Sequence, residues 1–168
     1  MGLLETRPGT GSYIKEFNAN NYLDQMYEFL LSDNDMKQIT EYRLAIEMAC
    51  TEVAIQKATD QNYRRLEEFL IKMNQTLKDG DVVKHAKLDY QFHLEICRTT
   101  QNEIFVLAYE VIGKMLRQHT TKLNEIYLKQ AISQNVQDDV HWRLIQAMRA
   151  KDLGACRECY VEMFSVYD

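Results

Sequence analysis

The chain has a single proline, Pro8, and after Gly11 only three glycines, Gly80, Gly113 and Gly154. Helix breakers are thus nearly absent from everything beyond the first dozen residues, which excludes a turn-rich β architecture and predicts an all-helical body. Cysteine is sparse: Cys50, Cys97, Cys156 and Cys159. Without a secretory leader pattern, four thiols in a chain this long read as reduced side chains rather than a disulfide framework. No apolar run approaches the length of a membrane span. The start, Met1-Gly2-Leu3-Leu4-Glu5-Thr6-Arg7, carries an acidic residue where a signal peptide needs an apolar core. Positive charge is also in deficit. The net charge of −5 argues against a nucleic-acid surface spread over the whole chain. The expected location on this reading is the cytoplasm.

What is present fits one domain with a real core. The 168 residues are 46% hydrophobic and 27% charged, ordinary proportions for a globular protein. The first seventeen residues stand apart. Gly2–Thr6 and Ser12–Ile14 flank Arg7-Pro8-Gly9-Thr10-Gly11, a turn-forming run that predicts a β-hairpin. Helical periodicity follows. Segments are expected at 21–32, from Asp35 to Ala58, from Thr59 or Asp60 to Leu77, and at 81–98, 102–130, 134–150 and 152–166. In the second of these the apolar positions Leu44, Ala45, Met48, Ala49, Val53 and Ala54 mark the expected inward stripe. The fifth carries Ile104, Leu107, Ala108, Val111, Ile112, Met115 and Leu116, and is apolar enough to be central. Short connections predict antiparallel neighbours, a bundle of six or seven helices behind the hairpin.

The chemistry-bearing pattern lies in the fourth segment. His85, Asp89 and His93 succeed one another at four-residue steps, which puts them on one helix face beside Leu88 and Phe92. A carboxylate bordering a core needs a partner, either a cation or a salt bridge. His141 opens a later helix whose inward positions are Leu144, Ile145 and Met148. If they converge, Asp89, His93 and His141 make a two-histidine, one-carboxylate set suited to a borderline divalent cation. The alternative is a surface Asp–His pair and a core histidine. Cys156-x-x-Cys159 has zinc-ligand spacing, but it sits in a helical run with no second pair. His85 and His119 read as ordinary residues. No Gly-rich phosphate loop and no nucleophile–base arrangement can be argued, so the chain does not read as an enzyme.

Several motifs resemble those of one family. Arg43-Leu44-Ala45-Ile46-Glu47-Met48-Ala49 is similar to an R-x-x-x-E-x-x-A opening. Leu88-Asp89-Tyr90-Gln91-Phe92-His93 is similar to D-x-x-F-H, and Thr100-Gln101-Asn102 to a helix start. His141 to Ala147 is similar to H-x-x-[IL]-x-x-A, followed by Lys151-Asp152 and Ala155. In this order and spacing, over residues 20–166, the chain resembles the effector-binding FCD domain of GntR-type bacterial transcription regulators. The resemblance implies that residues 1–17 are the wing of a winged helix-turn-helix whose recognition helix lies outside this chain, with Arg7 at its tip near DNA phosphate. Residues 18–168 are then a helical effector-binding and dimerisation domain.

The same resemblance implies a metal site of one Asp and three His in the metal-binding members. Asp89, His93 and His141 match three of these ligands. The fourth position, 22 residues after His141, is Met163, whose thioether is a poor donor to Zn²⁺ and suits soft cations. Zn²⁺, Ni²⁺ or Mn²⁺ at a three-ligand site is one implied cofactor. The other reading is a metal-free pocket in which Arg43, Asp89, His93, Asn102 and His141 meet a small carboxylate effector directly. Arg43 is alternatively the salt-bridge partner of Glu47, and Asn102 alternatively a helix cap. The expected partners are a second copy of the chain in a homodimer, the carboxylate effector, and DNA only through the domain that is absent. A decayed sensor serving as a dimerisation module and a non-haem iron enzyme are the competing functions.

Overall fold

The computed structural model describes residues 4–7, 11–14, 36–113, 115–118, 120–121 and 139–164. The expected helix at 21–32 and the Asp35 cap fall outside them, as does His119. The chain forms two compact units, residues 1–31 and 32–168. In the first, strand β1 (Leu4–Arg7) pairs antiparallel with β2 (Gly11–Ile14), with Leu4 opposite Ile14 and Arg7 opposite Gly11.

In the second unit the described elements are helical: α1 (Met36–Lys57), α2 (Asp60–Asp79), α3 (Val82–Thr99), α4 (Glu103–Val111), α5 (Val140–Ala150) and α6 (Leu153–Phe164). Their ends have local causes. The Thr59 side chain accepts from the Asn62 backbone N–H while Asn62 answers the Thr59 N–H, a reciprocal cap that starts α2. Gly80, at φ 68°, ends α2 in the left-handed region, where a Cβ is costly. Asp81 caps α3, Asn102 caps α4 and Asp139 caps α5 through their side-chain oxygens.

Two expectations about the core are corrected. The inward stripe of α1 is not the one marked by Leu44, Ala45 and Met48. Of the marked positions Ala54 is buried, beside Ile39, Arg43, Glu47, Cys50, Thr51 and Ile55, while Ala45 is exposed and Leu44, Met48, Ala49 and Val53 are half-buried. The helix is turned so that a charged pair faces the interior. The fifth expected helix is not the central one either. It breaks at Ile112, whose backbone departs from helical geometry, and the chain is helical again at 113, 115–118 and 120–121. In α4, Ile104 is 71% and Leu107 58% exposed, and Tyr109 alone is buried. The centre is α3, which packs against α1, α2 and α4 and buries eleven residues on almost its full circumference. Gly113 lets the chain pass close beside α3: a Cβ there would sit 2.6 Å from the Tyr90 hydroxyl.

Candidate metal and effector site

Helix α3 presents His85, Asp89 and His93 on one face. Two of the three enter a buried polar cluster with His141 of α5: Asp89 is 6%, His93 1% and His141 9% exposed. One candidate ligand atom from each of these three lies within 4.8 Å of the others. His141 Nε2 is 3.0 Å from Asp89 Oδ1, and His93 Nε2 is 3.9 Å from the same oxygen. Phe92 sets its ring against both imidazoles edge-on, at centroid distances of 5.1 and 5.2 Å, closing the apolar side.

Charged partners surround this trio. Arg43 Nε donates to Glu47 Oε1 at 2.8 Å, and Arg43 Nη1 donates to Thr120 Oγ1 at 2.9 Å. Thr120 Oγ1 in turn donates to Asp89 Oδ2 at 3.2 Å, and Arg43 Nη2 lies 3.6 Å from that oxygen. Tyr109 donates its hydroxyl proton to Glu47 Oε1 at 3.1 Å. Each imidazole also meets a carboxylate on its other edge. His141 Nδ1 is 3.0 Å from Asp139 Oδ1, and His93 Nδ1 is 2.8 Å from Glu47 Oε2. The second approach is close but misaligned as a hydrogen bond. Both His93 nitrogens and Glu47 Oε2 are therefore buried polar atoms without a satisfied bond.

Two carboxylates, Glu47 and Asp89, thus face the Arg43 guanidinium, and a third, Asp139, faces His141. Burial alone would raise the Asp89 carboxyl, but the His141 hydrogen bond and the charges of His93, Arg43 and His141 hold it well below the usual range. Burial also opposes ionisation of Glu47, yet Arg43 and His93 draw it down to about 2. His141 is pushed up to about 10, because the Asp139 and Asp89 hydrogen bonds outweigh the burial that would lower it. Without a cation, His141 carries the positive charge that this anionic cluster demands.

The donor set fits a borderline divalent ion. With metal–nitrogen and metal–oxygen bonds of about 2.1 Å, neighbouring ligand atoms stand about 3–3.5 Å apart. The Asp89–His141 separation already has that value, and His93 needs a small approach. Two imidazoles and one carboxylate suit Zn²⁺, Ni²⁺ or Mn²⁺.

The other sequence expectations divide. Arg43 is both things at once, the i+4 partner of Glu47 and a neighbour of Asp89. Asn102 is exposed, and its side-chain oxygen accepts from the Ile104 N–H, so it caps α4 and is not part of the cluster. His85 is buried but turns Nδ1 to the Met73 carbonyl and the Thr76 hydroxyl near the end of α2, both at 3.1 Å. Burial pushes its imidazole down, toward the neutral form. Met163 is buried in the last turn of α6. Cys156 and Cys159 are free thiols buried in α6, and burial pushes the Cys156 thiol up to about 12, away from the thiolate a metal needs. Arg7 is paired within the hairpin opposite Gly11. Sequence reasoning missed Asp139, Thr120 and Tyr109. The first had a visible signal, a carboxylate two residues before His141 at a helix start. Thr120 and Tyr109 had none.

Comparison with known proteins agrees with this architecture. The FCD domain family matches residues 38–165. The chain is 29% identical over 153 residues to the HTH-type transcriptional regulator LutR of Bacillus subtilis, spanning 89% of this chain and 68% of that protein. It is 20% identical over 152 residues to the Glc operon transcriptional activator of Escherichia coli, of which it covers 59%. Among solved structures, Streptococcus agalactiae GntR shares the fold with a TM-score of 0.64 at 22% identity, over 97% of this chain and 72% of that one. The E. coli McbR/YncC structure does so with a TM-score of 0.56 at 21% identity, over 97% and 73%. A family match across most of the chain, joined to relatives that are transcriptional regulators, leads to one conclusion: the chain belongs to the FCD domain family of GntR-type transcription regulators.

Proposed function

We propose that this chain is the sensing and dimerising part of a cytoplasmic transcription regulator, and that its sensor is a divalent cation on Asp89, His93 and His141. The observation that carries this reading is the surplus of buried negative charge around two imidazoles that share one carboxylate oxygen. A divalent ion offsets that surplus and satisfies the unbonded His93 nitrogen. When bound, the cation supplies a Lewis-acidic centre with open coordination positions, which a small carboxylate such as a hydroxy acid or sugar acid can fill. Arg43, held in place by Glu47 and Thr120, orients Asp89 and adds positive charge beside the entering anion. Ligand binding favours one arrangement of two protomers and so resets the spacing of the winged-helix domains, of which residues 1–17 are the wing and Arg7 the phosphate contact. No turnover accompanies binding.

A second reading keeps the cluster without metal. It rests on the hydrogen bond that His141 already makes to Asp89, which completes a charge-balanced pair when His141 is protonated. Metal analysis of protein purified without an affinity tag, beside His141→Ala, separates the two. Close to one Zn²⁺, Ni²⁺ or Mn²⁺ per chain, lost in the variant, supports the first reading. Absence of metal in both after soaking with Zn²⁺ and Ni²⁺ sinks it in favour of the second.

A further inference from the structure

Each of the two imidazoles meets a second carboxylate besides Asp89, and both do so at Nδ1. The two carboxylates come from different elements and are themselves anchored. Asp139 Oδ1 accepts the backbone N–H of His141 at 2.8 Å while lying 3.0 Å from its ring. The oxygen that starts α5 therefore also sets the ring that α5 contributes. Glu47 is held by Oε1, through Arg43 Nε and the Tyr109 hydroxyl, and leaves Oε2 beside His93. A ring nitrogen that donates to a carboxylate fixes the tautomer and leaves the other nitrogen's lone pair for a cation.

We infer that Asp139 is a positioning residue for the cation site: it holds His141 by Nδ1 and so turns its Nε2 toward Asp89, while Glu47 Oε2, 2.8 Å from His93 Nδ1, places a negative charge against the outer edge of the other ring. This rests on the metal reading above and deepens it. Orientation matters more here than in a four-ligand site, because Met163 stands where the family resemblance calls for a further histidine, and three donors retain a cation well only when pre-arranged. The competing account is that Asp139 is a helix cap and Glu47 a salt-bridge partner, with no bearing on the rings.

Asp139→Ser separates these accounts. Serine is a good cap, but its hydroxyl is too short to serve the helix and the imidazole together. Asp139→Asn keeps both contacts and removes only the charge. Zn²⁺ affinity, measured by competition with a chromogenic chelator, is expected to fall in the order wild type, Asn, Ser, with the serine variant about 10- to 100-fold weaker. Glu47→Gln is expected to lose affinity in the same range. Imidazole ¹⁵N spectra of the metal-free proteins give a readout that capping alone does not move. The His141 Nδ1–H signal is expected in slow exchange in wild type and absent in Asp139→Ser. A folded serine variant that binds Zn²⁺ as tightly as wild type, or that keeps that signal, overturns the inference. If wild type binds no Zn²⁺, the metal reading fails on its own, and the ¹⁵N spectra still decide whether Asp139 orients the ring.

Discussion

The interior of the helical unit has two halves built on opposite principles. Around α2, α5 and α6 the buried side chains are mostly apolar, among them Leu66, Leu70, Met73, Leu144, Ile145, Met148 and Cys156. Between α1, α3 and the start of α5 they include Arg43, Glu47, Asp89, His93 and His141, a set of charged or titratable groups. The apolar half is stabilised by area removed from water, and each methylene contributes separately. The polar half is stabilised only as a set, because each buried charge is tolerable only while its partner is present. Conservative change is therefore expected to be tolerated in the first half and not in the second.

The largest expected effect comes from breaking the polar set. Arg43→Met takes the guanidinium away from two buried carboxylates, Glu47 and Asp89, and is expected to cost about 3–5 kcal/mol in denaturant unfolding of metal-free protein. A loss below 1 kcal/mol would mean that the cluster is hydrated and loosely coupled. On the apolar side, Leu144→Ala opens a cavity and is expected to cost about 3 kcal/mol, while Leu144→Met should cost less than about 1.5. Equal penalties for those two would show that volume does not govern this half.

The halves also differ in their response to pH. Glu47 is held at about 2 against an ordinary 4.5, so its contribution is present above 4.5 and lost as pH falls toward 2. His141 is raised to about 10 from 6.5, so its contribution is complete below 6.5 and lost as pH rises through 10. Metal-free protein is therefore expected to be most stable between about 4.5 and 6.5. Leu144→Ala should lower the whole profile without changing its shape, whereas Asp139→Ser should flatten its alkaline limb. An alkaline limb unchanged in Asp139→Ser would contradict the assigned partnership. The smallest effect is expected outside both halves: Ile104→Gln on the exposed face of α4 should change stability by no more than about 0.5 kcal/mol.

Which features were legible in the residues follows the same division. In α2 the apolar positions Leu66, Phe69, Leu70 and Met73 mark the inward stripe, of which Phe69 is half-buried and the other three buried, and the Thr59 cap and Gly80 stop are local signals that the folded chain uses. In α1 the periodicity misled, because hydrophobic spacing assumes that charge points outward. Arg43 and Glu47 point inward, where Asp89, His93, Tyr109 and Thr120 meet them. The apolarity of 102–116 similarly suggested a central helix, yet Ile104 and Leu107 lie on the surface and α3, which buries His85, Asp89, His93 and Glu95, takes the centre.

The sequence by itself determined that the body is helical, where several helices begin and end, and that Asp89 and His93 share a face one turn apart. These follow from backbone geometry and from side chains within four residues of one another, so no distant contact is needed. Only the tertiary structure decided that His141 reaches Asp89 across 52 positions, that Arg43 and Glu47 turn inward, and that Asp139 serves a ring as well as a helix end. A buried charge is stabilised by whatever charge the fold brings beside it, and that partner is set by packing in three dimensions.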